Sequence, residues 1–565
     1  MTDTIPKTND SVTGENPYYK VLGYYESTIY IYSYQTAQII EFSAIHTPRS
    51  ISQILAPLNF WEKKFIGLSG AKFKEIIVES IIRESQRVGM FNPSRIRGRG
   101  AWLDRKGNPV IHLGDKIITD NKCVDIKDFK TTDGDIYLAN YPLGIDKAEP
   151  LSDDECIDFI KLCDKLTFND AISGKLLAGW IMCAPLCGAL KWRSHIYMTG
   201  QAGSGKSFVL NSIIKGALGN VAIEVQGNTS EAGIRQAIGQ DARPIIFDEF
   251  DPQGQFQRER LQEIVGLARQ ASTPNGAPII KGSQGQSGAI SYHVRSCFCL
   301  SSIEVFIKDI ADRQRFTMLR LHPNTAANSK DVFKEIQREC KRIITPDFPS
   351  RLLARGVSLI TQIRENQSMF ADEGEVVLGK RRIADQLSMM LSGLYALQYD
   401  DFIEKDKAKK WLEKHDWSEQ RQLAGESKEY DLLEYILNKV VEIPLDNGGR
   451  ISRMVSEVVY LATETMGKPG EKLKPEEARA IINRWGMRIV KEKLAIAKKS
   501  DFIKNILKDS HWSYPCHEIL QRIPGIETSG VERLRFAGNP EYFIIIPKEF
   551  YYRPPETEEI KEWEE

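Results

Sequence analysis

The residues with the plainest chemical use are Gly200, Gly205, Lys206 and Ser207. They fill the pattern G-x-x-x-x-G-K-[ST] inside IYMTGQAGSGKSFVL, residues 196–210. A loop of this composition, here Gly200, Gln201, Ala202, Gly203, Ser204 and Gly205, turns its backbone N–H groups toward phosphate oxygens. Lys206 then supplies a cation for the β- and γ-phosphates, and the Ser207 hydroxyl a ligand for Mg²⁺. A helix starting near Lys206 adds its positive N-terminal end. The bland alternative is a glycine-rich turn. The apolar strand before the loop and the apolar helical run after it favour a site for ATP and Mg²⁺.

Such a site needs an acid at the tip of a second strand. Pro244–Phe247 is a short apolar run that ends in Asp248 and Glu249, and ligands bind outside the carboxyl ends of strands in open α/β sheets. Asp248 is expected to hold Mg²⁺ through water, and Glu249 to polarise the attacking water as a general base. Asp251 reads as a loop acid or a helix cap. A third apolar strand, RSCFCLSSI, ends in Ser301 and Ser302. Ser301 either touches the γ-phosphate or its water, or simply ends a strand. In DIADRQRFTMLRL, Arg313 and Arg315 precede a fourth strand. They are either solvated or offered to a neighbouring subunit's γ-phosphate, where an arginine neutralises transition-state charge. The second role requires a ring or a filament.

Between these elements, GAPIIKGSQGQSGAISYHVRS predicts a hairpin, with strands at Ile279–Lys281 and Ile290–Val294 and a loop too polar to pack. Lys281 sits where the first strand meets that loop. A lysine there can grip a DNA phosphate as a point charge without reading bases. The alternative is a plain surface hairpin.

The elements that must position these groups are those of an α/β protein. The chain has 565 residues, enough for several domains, and 76 Lys plus Arg against 76 Asp plus Glu. That balance excludes a global polycation, so any nucleic-acid contact must come from local basic surface. The nine cysteines show no C-x-x-C pairs. Cys183 and Cys187 read as helical core, and the expectation is a reduced, cytoplasmic protein without zinc. The start lacks the apolar core of a signal peptide. The longest apolar run, Leu176–Leu190, is too short to span a bilayer and contains Gly179, Pro185 and Gly188. It reads as buried helix, and no membrane partner is expected.

Residues 1–16 read as a disordered tail and 17–150 as an α+β domain. In that domain TIYIYSYQTAQIIEFS alternates like a hairpin and FKEIIVESIIRESQRVGMF has helical spacing. Arg95, Arg97, Arg99 and Arg105 cluster there, as a phosphate contact or a solvated basic turn. Ser152 with Glu155 makes a capping box that opens a new helix. Residues 151–346 are the expected P-loop, AAA+-like ATPase core, 347–430 a helical region, and 431–565 a winged-helix-like domain. In the last, YDLLEYILNKVV, RISRMVSEVVYLATE and PEEARAIINRWG read as amphipathic helices. MRIVKEKLAIA reads as a wing, and VERLRFAGNPEYFIIIP as a hairpin turning at Gly538, Asn539 and Pro540. Arg450, Arg453, Arg484 and Arg488 either line a DNA face there or serve protein docking. The terminal PPETEEIKEWEE is a solvated acidic tail.

LAGWIMCAPLCGALKWRSHIYMTGQAGSGKS, PIIFDEFD, ARQAS, DRQRF and LQRIPGIE with LRFAGNPEYFIIIP resemble the helicase portion of phage and prophage primase-helicase proteins. These are P-loop hexameric helicases related to superfamily-3 and AAA+ motors. YKVLGYYESTIYIYS, ILAPLNFWEKKF and RIRGRGAWLDRKGNPVIHLGD resemble that family's region before the ATPase. The resemblance implies Lys206, Ser207, Asp248 and Glu249 as ATPase residues and Arg313 or Arg315 as an arginine acting in trans. The front of the chain departs from the pattern, with no zinc-binding module and no acidic primase motif, so a primase would be a separate polypeptide. The implied function is an ATP-dependent DNA helicase or translocase of a phage or mobile element. It would work as a homo-hexamer or similar ring on single-stranded or forked DNA during replication. The opposing class is an ATP-dependent DNA-binding regulator or adaptor that assembles without unwinding.

Overall fold

The structure is a computed structural model. It describes residues 16–42, 55–65, 70–120, 122–129, 134–201, 203–250, 255–273, 279–282, 289–307, 309–323, 328–417, 420, 428–444, 449–466, 473–508, 512, 515–523 and 525–552. The chain divides near residue 421 into two compact units.

At the centre of the first unit lies a parallel sheet. Its strands in chain order are β1 (His195–Gly200), β2 (Ile223–Gln226), β3 (Ile245–Asp248), β4 (Phe298–Ser302) and β5 (Phe316–Leu321). Their spatial order is β2-β3-β4-β1-β5, all parallel. All six residues of β1 and all five of β4 are buried, as expected of central parallel strands covered on both faces. Placing β4 between β3 and β1 sets the tips of those three strands side by side. In register, Met198 lies opposite Ser301, and Phe247 opposite Leu300.

Helices cover the sheet. The apolar run 173–186 is helical over Ser173–Cys183 and tightens into a single 3₁₀ turn at Ala184–Leu186, where Pro185 cannot continue the ladder. It packs against helix Arg381–Ala396. A Cβ on Gly179 would lie 1.9 Å from the Met390 carbonyl oxygen, so glycine is what lets these backbones touch. The capping box at Ser152 and Glu155 forms as expected and opens helix Asp153–Asp164. Glu155 also takes a two-pronged bond from Arg351 at 2.5 and 2.6 Å.

Ahead of the sheet, Tyr19–Tyr25, Thr28–Ser33 and Gln38–Phe42 form an antiparallel meander. Four short strands between Gly100 and Asp125 form a second one. The arginine cluster there is tied down. Arg97 pairs with Asp135 at 2.9 Å, and Arg99 with the buried Asp241 at 2.7 Å. Arg97 is thus paired within its own segment, Arg99 ties that segment to the residues just before β3, and these two do not form an open phosphate site. Asp241 also accepts from Arg243, so one buried carboxylate serves two guanidiniums just before β3.

The second unit holds helices Lys428–Leu437, Val455–Thr463 and Pro475–Arg484. They share a core that includes Leu433, Ile436, Val458, Val459, Ile481 and Ile482. The hairpin Met487–Val490 with Lys493–Ala497 follows, as expected of MRIVKEKLAIA, and Phe543–Ile546 joins the same sheet. Three expectations need correction. Val440 and Val441 do not continue the first helix, and Arg450–Met454 does not begin the second; Val440–Pro444 and Arg450–Met454 pair as an antiparallel hairpin. The β-branched VVEIP run favours strand, and Pro444 cannot extend a helix. The late hairpin turns at Ala537 and Gly538, with φ of +46° and +91°, so Asn539 and Pro540 lie in its second strand. Positive φ at both central residues suits a two-residue hairpin turn, and Pro540 is tolerated on a two-stranded edge. Arg450 pairs with Glu442 and Arg453 with Glu457, all four side chains being solvent-exposed. The N-terminal tail, Ala202, Asp251, residues 283–288 of the hairpin loop and the acidic C-terminal tail lie outside the described residues.

Candidate functional site

The glycine-rich loop leaves β1 and enters a helix running over 206–218, whose Val209–Ile214 portion winds wide, as a π-helix. Gly205 stands just before it at φ +84°, in the left-handed region that disfavours a side chain. That backbone reversal presents Lys206 and Ser207 at the first turn. Beside it, β3 ends at Asp248, which is half-buried, and Glu249, which is exposed. Glu249 holds φ +56°, uncommon for a residue with a side chain, while its N–H donates to Asp248 Oδ1 at 2.9 Å. The Phe250 N–H then donates to the Ser301 carbonyl at 2.8 Å, pinning the turn to the tip of β4. Strained backbone over-determined by its surroundings is a recurrent feature of functional sites.

These tips surround a cleft of about 580 Å³, lined by Lys206, Ser207, Asp248 and Glu249 among others. Four residues from two places in the sequence, 206–207 and 248–249, are thus brought to one opening. Lys206 makes no ion pair with a described residue. A glycine-rich backbone, a lysine, a hydroxyl and two carboxylates are a donor set that fits a triphosphate with Mg²⁺. Among the described residues no cluster of His, Cys, Asp or Glu has the makings of an all-protein metal cage.

The other expected site residues lie elsewhere. Ser301 is fully buried on β4, and its hydroxyl has no hydrogen-bond partner among the described residues. The neighbouring Ser302 hydroxyl instead donates to the Tyr197 phenol at 2.8 Å. Arg313 and Arg315 precede β5, at the opposite end of the sheet from the cleft. The six-residue β5 separates those ends by about 20 Å, so neither arginine serves the cleft of its own chain. Lys281 lies on strand Ile279–Gly282, which pairs with Ala289–Tyr292 in register Lys281 to Ile290. Both strands match the expected hairpin, although the second ends at Tyr292 and not at Val294. Its root is also at the far end of the sheet, since Thr273 just before it accepts from Arg193, two residues ahead of β1.

Sequence reasoning missed Asn228, Gln257, Arg260 and Ile303, which also line the cleft. Arg260, on helix Gln255–Ala271, donates to the Gly227 carbonyl at 2.9 Å and to the Asn228 carbonyl at 3.1 Å. It ties the loop after β2 to the helix after β3 and adds a positive charge to the cleft. Nothing in QFQRERLQEI marks it, because Arg258, Glu259 and Arg260 follow one another there and only the helix phase selects one.

No family model matches this chain, and no curated protein matches it. Among solved structures it is similar to one described as an SCCmec type IV Cch active helicase, with a TM-score of 0.49 and 12% identity, covering 93% of this chain and 91% of that one. It is also similar to the apo A form of the NrS-1 C-terminal region, with a TM-score of 0.27 and 10% identity, covering 77% of this chain and 96% of that one. Likenesses this distant decide neither the fold nor the activity of this chain.

Proposed function

We propose that this chain is a nucleoside-triphosphatase, with ATP as substrate, whose hydrolysis drives movement along single-stranded or forked DNA. The observation that carries the reading is the single cleft onto which Lys206, Ser207, Asp248 and Glu249 converge. Backbone N–H groups of the loop and Lys206 bind the phosphates. Bound Mg²⁺, held by Ser207 and through water by Asp248, would neutralise phosphate charge. Glu249 orients and polarises the attacking water, and the strained turn at +56° fixes where its carboxylate starts. Ser301 is a candidate to sense the γ-phosphate from the adjacent strand tip.

Arg313 and Arg315 lie at the far end of the sheet, which fits arginines offered to a neighbour's cleft in a homo-hexamer or similar ring. Lys281, at the same end, is the proposed DNA grip. The second unit, three helices followed by a hairpin, is read as winged-helix-like. The host process is read as replication of a phage or mobile element, with any primase a separate polypeptide.

The test is a triphosphate-binding and fork-unwinding series. Lys206→Ala should abolish nucleotide binding. Lys281→Ala should keep basal hydrolysis and lose DNA-stimulated hydrolysis and unwinding. An arginine variant mixed with Lys206→Ala should partly recover hydrolysis through interfaces with one sound pocket and one sound arginine. Wild-type protein that hydrolyses ATP but opens no fork, with either tail polarity, is an assembling regulator and not a motor.

A further inference from the structure

Just ahead of β5 the chain reads Asp312, Arg313, Gln314, Arg315, and these four alternate in exposure. Asp312 and Gln314 are buried, at 3% and 4% exposure, while Arg313 and Arg315 are half-buried. A turn closes on the four, with the Arg315 N–H donating to the Asp312 carbonyl at 3.0 Å. Each buried side chain is fastened to a different helix. The Asp312 carboxylate accepts from Arg269 at 3.1 Å and from Gln262 at 3.4 Å, both on helix Gln255–Ala271. The Gln314 side-chain oxygen accepts from Arg382 at 3.2 Å, on helix Arg381–Ala396.

Both helices are themselves fixed to the sheet. On the first, the Ala268 carbonyl lies 2.7 Å from the His195 ring. On the second, Gln386 donates to the His195 carbonyl at 2.6 Å and to the Thr317 hydroxyl at 3.3 Å. An arginine that neutralises transition-state charge has to be well placed, since a misplacement of about 1 Å can cost about 10²-fold. A long side chain on a short turn does not hold such a place alone, whereas buried anchors on both sides of Arg313 can.

We propose that Asp312 and Gln314 are positioning residues, anchors that hold Arg313 and Arg315 where a neighbouring subunit's nucleotide meets them. The proposal rests on the reading of those arginines as acting in trans and adds what places them. Helix Gln255–Ala271 also carries Gln257 and Arg260 on the chain's own cleft. Arg260 and Arg269 stand about 13 Å apart along that helix. One rigid element thus reaches both the cleft and the turn that bears the arginines.

Steady-state ATP hydrolysis by the full-length chain tests this. Asp312→Asn keeps the shape and removes the charge. Arg269 is half-exposed, so losing its partner leaves no buried bare cation, and the melting temperature should stay near that of the wild type. We expect kcat to fall by about 10²-fold. KM for ATP should stay within about threefold, because the lost contact belongs to the transition state. Arg269→Ala should slow turnover, and Arg269→Lys, which keeps a cation for Asp312, should restore most of it. Adding Asp312→Asn to the double variant Arg313→Ala/Arg315→Ala should slow turnover no further, since an anchor with nothing to hold has no effect. Asp312→Asn mixed with Lys206→Ala should recover part of the hydrolysis, and mixed with the arginine double variant none. Losses that multiply when the anchor and arginine changes are combined overturn positioning through the arginines. Wild-type turnover in Asp312→Asn, with the arginine double variant slow, also overturns it and leaves the trans reading standing. Wild-type turnover in the arginine double variant sinks the trans reading, and the anchors' role falls with it. Should Asp312→Asn fail to fold, Gln314 decides from the other helix. Gln314→Ala should lose turnover and Gln314→Glu, which keeps an acceptor for Arg382, should retain it; equal rates in the two overturn the proposal.

Discussion

The two ends of the five-stranded sheet are built in opposite ways. At the amino ends of the strands, several buried charged or titratable groups are paired, although the buried Ser296 hydroxyl is not hydrogen-bonded among the described residues. Arg193 donates to the carbonyls of Cys187, Ala271 and Thr273. His195 accepts from the Phe298 N–H at 3.1 Å and reaches the Ala268 carbonyl at 2.7 Å. Asp241 accepts from Arg99 and Arg243. At the carboxyl ends, neither Lys206 has an ion pair nor the Ser301 hydroxyl a hydrogen-bond partner among the described residues, and Glu249 holds a strained backbone. Buried polar groups that are satisfied rigidify a fold, whereas unsatisfied ones mark a place kept ready for something else. The amino end should therefore govern stability and the carboxyl end chemistry, and substitutions at each can separate the two.

The largest expected effect is at the carboxyl end. Glu249→Gln keeps size and shape but removes the base, so turnover should fall by about 10²–10⁴-fold. Nucleotide binding and the melting temperature should stay at wild-type values. Equal turnover in the two proteins would remove Glu249 from the mechanism.

The next is at the amino end. Asp241→Ala leaves two buried or half-buried guanidiniums, Arg243 and Arg99, without their carboxylate. Breaking a buried pair from one side costs about 3–5 kcal/mol. Denaturant unfolding should show that loss, and residual folded protein should still bind tripolyphosphate. A loss below about 1 kcal/mol would mean the pair is screened and the contrast between the ends is overstated.

Acid gives a third probe, through buried His195 at the amino end and buried His112 in the meander between Gly100 and Asp125. Burial pushes His195 down to about 3 and His112, whose ring meets the Leu138 carbonyl and the Gly114 N–H, down to about 4. Both are neutral when folded, while the unfolded chain takes up their protons below about 6.5. Stability is therefore complete above about pH 6.5 and falls as the pH drops from there toward 4, by about 2 kcal/mol for each histidine by pH 5. Denaturant midpoints at pH 7, 6 and 5 measure this. A flat profile over that range would show that water or a carboxylate reaches the rings. Glu155 acts at lower pH. Its bonds from Arg351 and from the Ser152 backbone hold it at about 2, so its smaller, solvent-screened contribution is lost only as the pH falls below its ordinary range.

The same contrast explains what could be read in advance. Lys206 and Ser207 are legible because a fixed glycine spacing leads into them, and Asp248 and Glu249 because an apolar run ends there and two acids follow. The capping box at Ser152 was legible because it is local. Arg260 was not, because its place depends on helix phase and on a carbonyl 33 residues away. The partnership of Asp241 and Arg99 was not legible either, because a pair 142 residues apart leaves no local trace. In the second unit, Val440 and Val441 read as the end of a helix because a short apolar run has no clear period, and the strand Val440–Pro444 is settled by its pairing with Arg450–Met454.

The smallest expected effect tests whether strain is held at the cleft. Glu249 is exposed, so removing its side chain disturbs little packing. Its φ of +56° is the feature that a substitution can relieve. Alanine keeps a Cβ and so keeps the left-handed penalty, whereas glycine has none. Glycine also enlarges the freedom of the unfolded chain, which offsets part of the gain. Glu249→Gly should therefore be more stable than Glu249→Ala by about 1 kcal/mol, with both inactive in hydrolysis. The pair shares the lost carboxylate, so their difference isolates the backbone. Equal melting of the two variants would show that the turn relaxes at no cost and that the carboxylate is not held by strain. A more stable glycine variant would show that this end of the sheet gives up stability to place one carboxylate, as the amino end has no need to do.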